Sequence, residues 1–370
     1  LVGLLPTLVD RGLNRVLEPG PYPVGAAAQR LHDTLFVADL HADPLLWKRD
    51  LLAKASHGHV DLPRLREGGV ALQVFDAVTK VPAGQNYDGN DDRSDMILPL
   101  AVAGLWPPRT WSSLTERALY QAQKLHRAAM HSNGTFFVIR DRVQLEAFAG
   151  RRRKDREAVA GVLGVEGLHA LDGDLGNLDR LFDAGFRVMG LAHFFDNDLG
   201  GSAHGMSKGG ITDLGRRAVE QMEKRGMLID LAHASPRLLD DVLAIATRPL
   251  IVSHGGVKGT CDHIRNLGDE HLRRVAATGG VVGIGYWDAA VCDVSVNGIV
   301  RAIEHAVKVA GADHVALGSD FDGATTTPFD TTGIARITEG LMNAGMSHED
   351  IAKVMGANVL RVLLATLPAG

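Results

Sequence analysis

One recurrence constrains this chain of 370 residues more than any other feature: a near-continuous apolar run, then a helical pattern, about eight times over. The runs are Thr34–His41, Val70–Val78, Val159–Glu166, Phe186–His193, Met227–His233, Pro249–His254, Gly280–Trp287 and His314–Asp320. Apolar periodicity predicts helices over Leu114–His131, Leu175–Ala184, Thr212–Arg225, Asp269–Thr278 and Val296–Ala310, and over 331–344 and 347–365. Thr212 and Ser235 are N-cap residues by type, and Pro236 suits a first helical position. Strands without polar alternation are buried on both faces, which suits a parallel sheet. Eight strand–helix units predict an α/β fold, a (β/α)8 TIM-type barrel. A doubly wound open sheet is the alternative, but no Gly-x-Gly-x-x-Gly follows any strand, which disfavours a dinucleotide fold.

Residues 1–30, punctuated by Pro19-Gly-Pro-Tyr-Pro23, predict an extended N-terminal arm. Residues 31–370 predict a single barrel domain with extra C-terminal helices. The segment 80–108, rich in Pro, Gly, Asn and Asp, reads as a long loop; Trp106, Trp111 and paired prolines suggest that it packs over something, as a lid does. The opening run lacks a Met. It reads either as the tail of a removed signal or anchor segment or as an ordinary amphipathic segment, and no stretch is long and apolar enough to span a bilayer.

Composition excludes some partners. A formal charge of −5 leaves no basic footprint for nucleic acid. Two cysteines, Cys261 and Cys292, cannot build a Cys-based zinc module. Sixteen histidines favour metal chemistry but reduce the weight of any single one.

What matters is where the polar residues fall. His41 and Asp43 sit at the end of the first run at positions i and i+2, which point the same way in a strand. Glu166, His193, His233, His254 and Asp320 also sit at C-terminal strand ends. In a barrel those ends surround one mouth, where active sites lie. Imidazole and carboxylate ligands without thiolate suit catalytic zinc or a similar divalent ion. Enough of them are present for two ions, with a Glu able to bridge and an activated water between them. His57 and His59 precede a helix instead and read as surface residues; His204, in a Gly-rich loop, is not expected to touch substrate. Asp322, two residues past Asp320, reads as structural.

These motifs resemble the membrane (renal) dipeptidase family of two-zinc metallopeptidases, from about residue 30 to residue 365. The resemblance rests on Asp39-Leu-His-Ala-Asp43, Gly164-Val-Glu-Gly167, Leu191-Ala-His193, Ile229-Asp-Leu-Ala-His-Ala-Ser235, Val252-Ser-His254, Arg265-Asn266, Gly318-Ser-Asp-Phe-Asp-Gly323 and Met355-Gly-Ala-Asn-Val-Leu-Arg361. It implies a zinc-dependent dipeptidase acting through a metal-bridging hydroxide. His41 and Asp43 would hold one zinc, His233 and His254 the other, and Glu166 would bridge both. His193 would contact the substrate carbonyl or its oxyanion, Arg265 would bind the C-terminal carboxylate, and Asp320 would carry the proton to the leaving amine. The family's substrate tyrosine has no clean counterpart: Tyr286 is the expected stand-in, with Trp287 near it, although alignment through Cys292 places Ala289 there. Family members often tolerate a D-residue on the C-terminal side, so L,D- as well as L,L-dipeptides are implied. Members also commonly form dimers, although no interface stripe is legible. Cys261 and Cys292 follow strands six and seven, where neighbouring loops can meet. Their spacing resembles a disulfide of animal members, and two free buried thiols are the alternative. A bond would favour an exported, periplasmic or membrane-anchored protein over a cytoplasmic one. The competing functions are hydrolysis of another small amide, such as an N-acyl amino acid or a β-lactam, and a non-hydrolytic role in tailoring a peptide metabolite.

Overall fold

The computed structural model describes residues 2–370. Eight parallel strands form the barrel: β1 (Val37–Ala42), β2 (Val70–Val78), β3 (Val159–Glu166), β4 (Phe186–Gly190), β5 (Leu228–Asp230), β6 (Ile251–Gly255), β7 (Val281–Ile284) and β8 (Val315–Leu317). Each pairs with the next in sequence, and β8 returns to β1 through Leu317 opposite Asp39, so the sheet closes as predicted. The two faces of the strands separate the core. Alternate residues such as Leu72, Val74, Val162, Val188, Ile251 and Ala316 cluster with Val359, Val362 and Leu363 of the last helix (Asn358–Thr366). That helix plugs the end of the barrel opposite the mouth. The other set, including Phe75, Leu163, Met189, Val252 and Val282, packs on the surrounding helices.

The capping chemistry matches the sequence. Thr212, Ser235, Ser113 and Ser295 each accept a backbone N–H of the helix they open. The helices Leu114–His131 and Val296–Ala310 have the predicted bounds.

Four differences are informative. The arm is not simply extended: Leu5–Leu13 and Ala26–His32 are helical. Asp10 anchors the first of these, since its buried carboxylate takes Asn14 Nδ2 at 2.8 Å and Arg49 Nε at 2.9 Å. Arg15–Val16 then pairs with Thr326–Thr327 beyond β8, drawing the arm across the mouth. A further short strand, Phe136–Val138, pairs with Val159–Gly161 beside the closed ring and leads into a helix, Arg142–Arg152, capped by Asp141. Three residues gave too short a run to stand out in the sequence. The strands β4, β5, β7 and β8 each stop three residues short of their apolar runs, at Gly190, Asp230, Ile284 and Leu317, and beyond two of these ends the chain turns left-handed, at His233 (φ +61°) and Asp320 (φ +58°). Finally, the helix expected over 347–365 breaks at Gly356, where a Cβ would collide with the Phe36 carbonyl.

Candidate metal centre

Strand ends deliver seven polar side chains to one place. His41 and Asp43 come from the end of β1, Glu166 closes β3, and His254 lies in β6; His193, His233 and Asp320 follow β4, β5 and β8 by three residues each. All seven are buried. His41 Nε2 lies 3.2 Å from Asp43 Oδ2 and 3.7 Å from Glu166 Oε1. On the other side of the same oxygen, His233 Nε2 is at 2.9 Å and His254 Nε2 at 3.2 Å. Glu166 Oε2 takes His193 Nε2 at 3.0 Å, and Asp320 Oδ1 stands 3.8 Å from His41 Nε2. One carboxylate thus faces two histidine groups, His41 stacking on His254 between them with ring centroids 3.8 Å apart.

The donor set fits divalent metal. His233 Nε2 and His254 Nε2 are 3.0 Å apart, and burial pushes both imidazoles well below their ordinary pKa, so they meet as neutral rings. His254 Nδ1 is engaged by the Ser253 hydroxyl at 2.8 Å. Asp43 Oδ1 is buried with no hydrogen-bond partner among the described residues. Converging nitrogens and an orphaned carboxylate oxygen are costly in a dry site unless a cation satisfies them. The donors of His41, Asp43 and Glu166 lie within 4.8 Å of one another, as do those of His41, His254 and Asp320 and of Glu166, His193 and His233.

A second layer was not singled out in the sequence. Asp76 of β2 faces His41 Nδ1 at 3.2 Å, fixing the ring so that Nε2 points to the mouth. Burial opposes a charge on His41, but Asp76 and Asp43 outweigh it and raise its pKa well above the usual histidine value. Burial itself lifts the Asp76 carboxyl to about 7. Asp230 accepts from the Ser253 hydroxyl at 2.5 Å and from the backbone N–H groups of Ala232 and Ser253. Asp39 accepts from His41 N, Gln73 Nε2 and Ser319 N, each at 3.0 Å. Glycine makes room here: a Cβ at Gly164 would strike the Asp76 carboxylate. The available signal was parity, for Asp76 and Asp230 share the inward set with Leu72 and Leu228.

A cavity of about 350 Å³ opens above the cluster, lined by Tyr87, Phe194, Arg265, Trp287 and Asp320, with Leu17 of the arm at its rim. Arg265 is only 5% exposed; Nη2 donates to the His254 carbonyl at 2.7 Å, and its Nε has no partner among the described residues. Tyr286 does not take the substrate position the sequence predicts for it: its ring is fully buried against Phe321 and Phe329, away from the cavity, and the next residue, Trp287, lines the wall instead. His59 is not the surface residue the sequence predicts. It is fully buried, its Nδ1 accepting from Asp322 N at 2.9 Å and its Nε2 donating to the Arg15 carbonyl at 3.1 Å. His57 is partly buried and reaches Asp10 Oδ2 at 3.1 Å. The stretch 80–108 is not one long loop, for Ile97–Ala103 is helical; His204 lies under the part before that helix and donates through Nδ1 to the Tyr87 carbonyl at 3.1 Å. Asp322 accepts from His59 N and Val60 N and pairs with Arg49, outside the cavity. Cys261 and Cys292 are bonded, tying the loop that carries Arg265 to the one after Trp287.

The chain is similar to known proteins over most of its length. The family model described as membrane dipeptidase, peptidase family M19, matches residues 26–367. An uncharacterized dipeptidase of Schizosaccharomyces pombe is 33% identical over 322 residues, 82% of this chain and 71% of that protein. The crystal structure of a dipeptidase AC, a family M19 metallopeptidase, superposes with a TM-score of 0.74 at 25% identity, covering 91% of this chain and 100% of that one. A metallopeptidase from Rhodobacter sphaeroides, liganded with a phosphinate mimic of the dipeptide L-Ala-D-Ala, gives 0.73 at 25% identity, over 90% and 99% of the two chains.

Proposed function

The chain belongs to the membrane dipeptidase family, peptidase family M19, and is a metallo-dipeptidase; on that premise we propose that it hydrolyses dipeptides at a centre of two divalent ions, zinc by donor type. The observation that carries this reading is Glu166 Oε1, which lies within 3.7 Å of His41 on one side and within 3.2 Å of His233 and His254 on the other. His41 and Asp43 would hold one ion, His233 and His254 the second, with Glu166 shared. When bound, such ions supply Lewis acidity toward a carbonyl oxygen and acidify water toward neutral pH.

The chain's own residues do the rest. Arg265 binds the substrate carboxylate, for which its free Nε and planar fork are suited. His193, at the cavity wall beside Glu166, donates to the carbonyl oxygen as negative charge develops on it. Asp320 faces the same cavity and moves the proton from water to the leaving amine. The ligand of the R. sphaeroides relative supports L,D-dipeptides as substrates alongside L,L. The Cys261–Cys292 bond supports an oxidising, exported location. Among the described residues no helix is long and apolar enough to cross a membrane.

The test is hydrolysis of an L,L and L,D panel by zinc-reconstituted protein, with metal content measured on the same batch and Asp320→Asn as control. Cleavage that needs two metals and Asp320 is expected. Two metals bound and no dipeptide cleaved would overturn the reading in favour of another small amide.

A further inference from the structure

The loop that precedes the helix Ile97–Ala103 brings the Tyr87 phenol into the cavity, and its hydrogen bonding is one-sided. Trp287 Nε1 lies 3.1 Å from Tyr87 Oη. An indole N–H can only donate, so the phenolic oxygen accepts. The phenol's own hydrogen is then uncommitted, for Tyr87 Oη has no other partner among the described residues. Burial raises the phenol's pKa, so it stays a donor at neutral pH.

The group is also held in place. Asn86 Oδ1 accepts from Asp88 N and Gly89 N, both at 2.9 Å, closing a tight turn around Tyr87. Asn90 Nδ2 ties that turn to the Asn86 carbonyl at 2.7 Å and to the His204 carbonyl at 2.9 Å. The Tyr87 ring packs edge-on against His204 and His263 and at a tilt against Phe194. A single indole relates this phenol to the nearby cation: Trp287 donates to Tyr87 from its N–H edge and carries Arg265 Cζ over its face at 5.7 Å. Arg265, itself buried, has its Nε free. Two oriented donors, one charged and one neutral, therefore converge on one wall of the cavity, an arrangement suited to an oxyanion.

We propose that Tyr87 is a substrate-binding residue whose hydroxyl donates to the same carboxylate that Arg265 engages, so that this loop selects substrates with a free C-terminal carboxylate. The inference rests on the dipeptidase reading above.

The test compares wild type with Tyr87→Phe, both zinc-loaded, on a dipeptide and on its C-terminal amide. Phenylalanine keeps the ring packing and removes only the hydroxyl. A hydrogen bond to a charged group is worth enough to raise KM for the free acid by about tenfold or more, with kcat nearly unchanged. KM for the amide stays as in wild type. An equal rise for both substrates makes Tyr87 a strut of its loop and overturns the proposal, as does no change in either. Trp287→Phe is the second variant: it removes the donor that orients the phenol, and the same acid-selective rise in KM is expected. If wild type cleaves no dipeptide, the dipeptidase reading fails on its own. Tyr87 is then judged by calorimetric titration with a phosphinate dipeptide mimic, where about tenfold weaker binding by Tyr87→Phe supports the proposal. Equal affinities, or no binding by wild type, overturn it.

Discussion

Asp322→Asn tests whether the loop carrying Asp320 is held by a buried charge. The Asp322 carboxylate accepts from His59 N at 2.7 Å and Val60 N at 3.0 Å, and Arg49 Nη2 lies 2.7 Å from Oδ2. The two side chains are 0% and 4% exposed, so solvent cannot replace what is lost. An asparagine offers one oxygen for these donors, and its amide N–H then points at a backbone N–H or a guanidinium. Arg49 keeps Asp10 at 2.9 Å. Breaking a buried pair costs roughly 3–5 kcal/mol, and the surviving Asp10 contact places the loss near the lower end, about 3 kcal/mol. At about 2.1 cal/mol/K per residue, 370 residues unfold with an entropy of about 0.8 kcal/mol/K, so Tm falls by about 4 °C.

The pH dependence has a definite sign. Burial alone would raise the Asp322 pKa, but Arg49 and His59 outweigh it and hold it below the ordinary value. A depressed carboxylate stabilises fully above its unfolded pKa of about 3.9 and loses that contribution as pH falls through the folded value. The gap between wild type and variant should therefore be full near neutrality and shrink below about pH 3.9. Urea unfolding of the metal-loaded proteins across pH measures it, with hydrolysis assayed alongside. Unchanged stability with hydrolysis abolished would refute the reasoning and make Asp322 part of the chemistry.

Asp76→Asn should weaken metal retention by about 10–100-fold, because the partner that orients His41 loses its charge; competition with a chromophoric chelator reads this, and equal affinity would sink the idea. Cys261→Ser with Cys292→Ser opens a bridge spanning 31 positions, which should lower unfolding stability by about 3–4 kcal/mol on the loop-closure model; denaturant midpoints before and after substitution check it. His32 donates to the Gly68 carbonyl at 3.0 Å and meets Thr338 Oγ1 at 2.8 Å, and burial lowers its pKa. Its neutral form is present in the folded state, so its contribution is full above about pH 6.5 and is lost as pH falls. His32→Gln should flatten the stability profile between about pH 7 and 5, and parallel profiles would contradict this reading.

Much of the centre was legible because its residues interrupt a simple pattern. A strand buried on both faces tolerates few polar side chains, so His41, Glu166 and His254 at the ends of apolar runs stood out. The ladder's own extent was less legible. The apolar runs predict His193, His233 and Asp320 as the last residues of strands, yet each lies in a loop three residues past its strand, since an apolar run carries no mark of where the ladder stops. Tyr286 misled for a related reason. Adjacent residues at a strand end face opposite ways, and the barrel's outer packing took Tyr286 while the cavity took Trp287.

By itself the sequence determined the closed barrel and the mouth at which its buried His, Asp and Glu side chains collect, because burial on both faces forces continuous apolar runs and puts polar residues at their ends. It could not determine partners distant in the chain. His59 finds Asp322 across 263 positions, and Tyr87 finds Trp287 across 200. Neither lies in a segment with a period, so nothing local says which side faces inward. Asp76 lies in a run that would read as a strand whatever the residue did there; its role follows from the β1–β2 neighbour relation that sets it beside His41 Nδ1. Such contacts exist only once the strands close, and tertiary structure alone decided them.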